Sequence, residues 1–359
     1  MWPRRELVDL LGVNHPIIQA PMAGSTTPEI VAAVSNAGGL GSLGCARDDA
    51  TSLRDRVHKI RSGTNKPFNL NFFVHDAPAL DTAAADRMVE RLVPYYDAFG
   101  TAAPDQPSTM YPGFDDEIVA VLTEFAPQVV SFHYGMPGEA AVAALKDAGI
   151  VLLSSATSAD EARWLEERGV DAVIAQGYEA GGHRGTREPS ADTGLGGLAL
   201  IPQIADAVRV PVIAAGGIAD GRGIAAAFAL GASGVQIGTA FLSTPESGIN
   251  PLYREALLRG GEMGTDLTRA VSGRMARALR NRFVRDMQPH EDEALAFPYQ
   301  YSLTGPLQAA SAQRGSDDML AMWAGQSVAL NRAMPAGDLL ETLVEEARDA
   351  FASLRIAAD

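Results

Sequence analysis

The stretch VVSFHYGMP, residues 129–137, ends an apolar run on one imidazole, His133, and passes straight into a Gly/Pro turn. Imidazole takes or gives a proton near neutral pH, so the chemistry on offer is acid–base work. A lone histidine is more often a satisfied structural residue, but a position at the mouth of a buried strand reverses that ordering. Metal ligation is not indicated, because no HxH or HExxH spacing occurs among the six histidines.

Further candidates share this placement at the end of an apolar run. AQGYEAGGHRG, residues 175–185, offers the amide of Gln176 and two glycines, Gly181 and Gly182, that let a backbone approach a ligand. In the same stretch His183 and Arg184 are expected to add positive potential over an anion. The plain alternative is a solvated, flexible glycine loop. Asn71, in NLNFF, carries donors and an acceptor suited to a planar heterocycle, or to local backbone. VIAAGGIADG (212–221) and VQIGTAFL (235–242) each run from an apolar stretch through glycine into a helix start. Gly216-Gly217 and Gly238-Thr239 therefore read as phosphate turns, where glycine clears space and helix N–H groups hold the anion. Tight turns with no ligand are the competing reading for either stretch alone.

These residues need a scaffold that gathers strand ends. Apolar runs without polar alternation occur at 16–19, 39–43, 68–72, 129–132, 150–153, 172–175, 210–214 and 234–237. Such runs suit strands covered on both faces, as in parallel sheets. Helical patterns intervene at 28–36, 139–148, 158–168 and 220–230, and the third opens with a capping-box signal, Ser-Ala-Asp-Glu. The repeat is about 20 to 28 residues, one βα unit by ordinary element lengths. The expected fold is an α/β (β/α)8 TIM barrel with an inserted, smaller, mostly helical domain; a doubly wound open sheet is the alternative. In such barrels the site lies at the carboxyl ends of the strands, with phosphate after strands seven and eight. The expected division is a barrel over 1–243, a covering domain over 244–318 with a strand at 267–272, and C-terminal helices over 319–359. Residues 337–354 place Leu339, Leu340, Leu343, Val344, Ala347 and Phe351 at amphipathic helical spacing. Stretch 76–113 reads as an excursion over the barrel, and the glycine-rich stretch 178–200, with His183, Arg184 and Arg187, as a functional loop.

Composition narrows the partners. The chain has 359 residues, 47% hydrophobic, and a net charge of −15 with no long basic run, which disfavours nucleic acid and anionic membranes. Its single cysteine, Cys45, fits a reducing compartment. The opening MWPRRELVDLLGV lacks the apolar core of a secretory signal, and 210–242 is too interrupted to span a bilayer. A cytoplasmic location is the expectation.

In order and spacing, PIIQAPMAG, GGLGSLG, NLNFF, SFHYGMP, AQGYEAGGHRG, VPVIAAGGIADG and VQIGTAFL resemble the nitronate monooxygenases, formerly 2-nitropropane dioxygenases. The likeness spans roughly residues 12–245 and continues more faintly through FPYQYSLTGPL and MWAGQ. SFHYGMP resembles the class I subgroup with an active-site histidine. The resemblance implies an FMN enzyme that oxidises alkyl nitronates, of the propionate 3-nitronate type, with molecular oxygen, releasing nitrite and a carbonyl compound. No metal and no nicotinamide cofactor are implied, and a homodimer is the assembly to look for. Carried over, FMN would touch Met22, Ala23, Asn71, Gln176, Gly181 and Gly182, with its phosphate on Gly216, Gly217, Gln236, Ile237, Gly238 and Thr239. His133 would be the base for neutral nitroalkanes, and would supply positive potential when protonated; His183, Tyr299 and Tyr301 would join it around the substrate. Two departures stand out. PMAGS replaces the expected PMAGG, and SLTGPLQAA, after Tyr301, lacks a lysine that some members place near the substrate. The rival reading is an NAD(P)H-dependent FMN reductase of the enoyl-acyl-carrier-protein or quinone type, and a non-catalytic flavin binder is a third.

Overall fold

A computed structural model describes residues 2–75, 78–109 and 111–354. Eight parallel strands form its centre: β1 (Ile17–Gln19), β2 (Gly41–Gly44), β3 (Phe68–Phe73), β4 (Val129–His133), β5 (Val151–Ala156), β6 (Ala172–Gln176), β7 (Val212–Ala215) and β8 (Gly234–Ile237). They neighbour one another in the order β1-β8-β7-β6-β5-β4-β3-β2. A parallel bridge between Ile18 and Leu40 closes the ring, with Gln19 N–H donating to the Leu40 carbonyl at 3.0 Å. The expected barrel is therefore the observed one. Strand limits differ from the apolar runs by at most three residues; at β2 and β7 the difference arises because Gly39 and Val210 lead into their strands rather than pair within them.

Alternation along each strand separates two cores. Ile18, Leu153, Ile174 and Ile213 point inward and join Leu7 and Leu11 of the helix Glu6–Leu11, which plugs the amino end. Ile17, Leu152, Val173 and Val212 point outward to the surrounding helices. One end of the barrel is sealed by apolar packing, and its carboxyl end opens onto a cavity. The glycine at position 41 explains the close fit of β2, since a Cβ there would lie 2.1 Å from the Val31 carbonyl oxygen of the helix Pro28–Asn36.

The carboxyl end is covered by a second layer. Strands β9 (Thr265–Thr268) and β10 (Ala276–Leu279) pair antiparallel, and β10 also pairs with the short segment Gly182–His183. The expected strand at 267–272 thus starts two residues earlier and stops at Thr268, and its partner β10 was not foreseen. The glycine loop of 175–185 is consequently a pinned element rather than a free one. Helix Thr82–Phe99, capped by Asp81, lies within the excursion and buries Met88, Leu92 and Tyr96 against Val271, Phe283, Leu303 and Leu307. The C-terminal helix Ala336–Ser353 returns to the barrel wall, packing on the helices Gly221–Ala229 and Pro28–Asn36. Among the described residues no helix is long and apolar enough to cross a membrane.

Candidate active site

A cleft of about 1260 Å³, counted with its open mouth, occupies the carboxyl edge of the barrel. Met22, Ala23, Asn71, His133, Gln176, Gly181, Gly182, His183, Gly216, Gly217, Gln236, Gly238, Thr239 and Tyr301 all line it. Two expected residues do not. Ile237 turns its side chain into the outer core, and its carbonyl accepts from Ala20 N–H at 2.8 Å. Tyr299 points elsewhere: its hydroxyl donates to the Pro78 carbonyl at 3.0 Å. Tyr299 and Tyr301 both sit on the helix Tyr299–Gln313, where a two-residue step turns about 200° and sends the two rings to opposite faces.

One end of the cleft is a backbone cradle. Gly216 and Gly217 have φ of +103° and +72°, a conformation glycine adopts without strain. Gly181 is packed so tightly that a Cβ would lie 2.5 Å from Gly325 N, which itself donates to Thr239 Oγ1 at 2.9 Å. One detail of the phosphate expectation is corrected. The helix after β7 does not offer its first turn, because Asp220 accepts from Arg222 and Gly223 N–H and Gly221 N–H donates to Glu346. The Gly216-Gly217 turn, not that helix, forms the wall. Beside it the buried side-chain oxygen Gln236 Oε1 has no hydrogen-bond partner, a costly state that a ligand donor would relieve.

The middle of the cleft carries two amides. Asn71 Nδ2 donates to the Ser131 carbonyl and hydroxyl at 3.2 and 2.9 Å. Gln176 Nε2 donates to the His183 carbonyl at 2.9 Å while its Oε1 accepts from Gly185 N–H at 2.7 Å. The Gln176 amide therefore holds the 183–185 turn in place, so what it turns to the cleft is wall rather than a free amide.

At the other end His133 lies between two partners. Its Nε2 is 3.2 Å from the His183 carbonyl oxygen and its Nδ1 2.9 Å from Ser155 Oγ. A carbonyl only accepts, so the proton sits on Nε2 and the lone pair on Nδ1, where the Ser155 hydroxyl donates. Burial, aided by the cations Arg274 and Arg184, lowers the His133 pKa to about 4. His183, bonded through Nε2 to Ser272 Oγ at 2.9 Å, is lowered by burial and by His133 to about 3. Both rings are neutral near pH 7, which corrects the expectation that they bring positive charge. Arg184 does not face the cleft: it is buried and paired with Asp192 at 2.8 Å, behind the Gln176 carbonyl.

Sequence reasoning missed Arg47, Tyr111, Tyr253, Trp323, Gly325 and Ser327, all of which line the cleft. The signal for Trp323 and Gly325 was the glycine break in MWAGQ. Arg47, which follows β2 by three residues, lay in the same strand-end class as His133 and carried no other mark.

A closed βα barrel with a glycine cradle and a neutral histidine pair at its carboxyl edge has the frame of a barrel enzyme. The nitronate monooxygenase family model matches residues 4–346. The chain is 45% identical over 356 residues to the nitronate monooxygenase of Paraburkholderia phytofirmans, covering 98% of this chain and 97% of the relative. It is 47% identical over 343 residues to that of Pseudomonas aeruginosa, covering 94% and 98%. A solved nitroalkane oxidase from Streptomyces ansochromogenes superposes with a TM-score of 0.91 at 41% identity, covering 98% of this chain and all of that one. FabK from Thermotoga maritima superposes at 0.76 with 32% identity, covering 99% of each. The chain belongs to the nitronate monooxygenase family. It is accordingly a flavin-dependent oxidoreductase acting on a small-molecule substrate, and its family membership supports nitronate oxidation.

Proposed function

We propose that the chain binds FMN in the cleft and uses molecular oxygen to oxidise alkyl nitronates, releasing nitrite and a carbonyl compound. In this reading Gly216, Gly217, Gly238 and Thr239 would hold the phosphate, and Gln236 Oε1 would accept a hydrogen bond from the cofactor. Met22, Ala23 and Gly181 would line the ring. The residues suit the cofactor: the orphaned Gln236 oxygen asks for a donor, and the crowded glycines leave backbone, not side chain, at the wall. When bound, FMN supplies the electron transfer between nitronate and oxygen.

The protein's own groups do the rest. A nitronate arrives already ionised, so it needs orientation and no base. A neutral nitroalkane must first lose its α-proton, and His133 accepts it at Nδ1. That atom becomes free when the Ser155 hydroxyl rotates away, a motion the fixed carbonyl at Nε2 does not have. The cleft's aromatic wall, with Phe73 5.8 Å from His133 and 5.7 Å from Tyr111 by ring centroids, excludes water from this end. The observation that carries the reading is the pairing, in one cleft, of the orphaned Gln236 oxygen and glycine cradle with a neutral imidazole at the opposite end.

The test is a spectrum and a product. The purified protein should be yellow, release FMN on denaturation and form nitrite from ethyl nitronate in air. Rapid anaerobic bleaching by NADH with no nitrite in air would replace this reading with the reductase.

A further inference from the structure

The cleft has one charged side chain at neutral pH. Among the described residues lining it there is no aspartate, glutamate or lysine, the histidines are neutral, and the single arginine is Arg47. Arg47 has no ion-pair partner among the described residues; its neighbouring acid, Asp48, is bound to Arg56 at 2.6 Å. Its guanidinium carbon lies 5.1 Å from the Tyr301 ring centre and 5.8 Å from that of Tyr111, so its neighbours are neutral rings. Its Nη1 would be 3.5 Å from a Cβ at Gly24, which puts the head group beside the Met22–Ala23 loop. Tyr111 in turn packs on Phe73, the ring next to His133. The cation therefore belongs to the reaction end of the cleft and lacks a countercharge.

A guanidinium stays protonated in proteins, and one held among neutral rings attracts an anion through a planar fork of N–H donors. We propose that Arg47 is the receptor for a second negative charge on the substrate, a carboxylate carried on the nitronate's alkyl chain, and so sets selectivity for carboxylate-bearing nitronates over plain alkyl ones. The inference rests on the nitronate reading above. Tyr111 and Tyr301 act as positioning residues that hold the guanidinium over the cleft.

The experiment compares the wild type with Arg47→Met and Arg47→Lys in the FMN-loaded protein. The kinetic readout is the ratio of kcat/KM for propionate 3-nitronate to that for propyl 1-nitronate, which share a three-carbon chain. A charge-assisted hydrogen bond predicts that Arg47→Met lowers this ratio roughly 10- to 100-fold, with Arg47→Lys recovering part of it. A second readout needs no turnover: calorimetric binding of succinate against butyrate, where the wild type should favour succinate and Arg47→Met should lose that preference. An unchanged ratio, or proportional loss on both substrates together with loss of flavin, overturns the proposal, the latter assigning Arg47 to the cofactor. Wild type that makes no nitrite from either nitronate sinks the nitronate reading instead, while the succinate preference still judges Arg47 as an anion receptor.

Discussion

Replacing His133 with asparagine removes the basic nitrogen and keeps the contact with Ser155. Asparagine can keep the Nδ1-side contact, its Oδ1 accepting from Ser155, while its shorter amide gives up the Nε2 contact to the His183 carbonyl, which still accepts from Gln176 Nε2, so the wall should stay in place. What disappears is the basic nitrogen. A positioned general base contributes about 10²–10⁴-fold. Burial has weakened this one from 6.5 to about 4, so the loss on neutral nitroethane should fall near the lower limit, about 10²-fold or 2.7 kcal/mol of barrier. Ethyl nitronate, which has no proton to give up, should lose less than about tenfold. The assay is nitrite release from each substrate at fixed oxygen, with FMN content measured in parallel. The pH profile adds a sign. The base form exists above its pKa, so nitroethane turnover should show no His133 limb between pH 8 and 5 and should fall only as pH drops toward about 4. Equal losses on the two substrates would remove the base role. A limb near 6.5 that vanishes in the variant would refute the burial argument.

Three other outcomes are expected. Both His133 and His183 have folded pKa values below the 6.5 of a free imidazole, so the unfolded chain takes up protons first as pH falls. Stability is complete above about pH 6.5 and declines toward pH 4, by at most about 1.4 kcal/mol per pH unit and histidine and by less for rings partly open to the cleft. In urea unfolding of the apoprotein the stability of wild type relative to His133→Asn should shrink from pH 7 to pH 5; a constant difference would contradict it. Gly181→Ala places a Cβ 2.5 Å from Gly325 N and should weaken FMN binding about tenfold or more, read by flavin fluorescence titration, and an unaltered Kd would show that the cradle is not where FMN sits. Tyr299→Phe should change kcat/KM by less than about twofold, because its hydroxyl serves the Pro78 carbonyl; a tenfold fall would return it to the substrate site.

The barrel was readable because strands covered on both faces are written as unbroken apolar runs, and eight such runs matched eight strands. Once the strands are known, residues at their carboxyl ends follow, which is why His133, Gly216 and Gly238 were accessible from sequence. Three kinds of information were not. Helix Thr82–Phe99 contains Pro94, read locally as a breaker, and its packing partners lie some 190 residues away. Tyr299 and Tyr301 look like a matched pair until the helix that carries them is known. The pinning of the glycine loop by β10 joins residue 183 to residue 276, a contact that no local pattern encodes.

The charge of the site is the deepest case, because it inverts the sequence reading. Of three groups expected to be positive, His133 and His183 are left neutral by burial and by nearby cations, and Arg184 is buried and paired with Asp192. The neutral state of the two histidines depends on neighbours far along the chain, among them Arg274. Yet a nitronate still needs a favourable potential, since an anion entering a partly dry cleft loses hydration. With the imidazoles neutral, that potential falls to backbone dipoles, to Arg274 behind the wall and to Arg47, the one cation among the described residues lining the cleft. The same burial that leaves His133 unprotonated makes it a weak base. The weak base works against a neutral nitroalkane, while the missing imidazolium charge leaves attraction of a nitronate to Arg47 and the backbone, so in the proposed reading any preference for nitronate rests on that weak base and on Arg47 together.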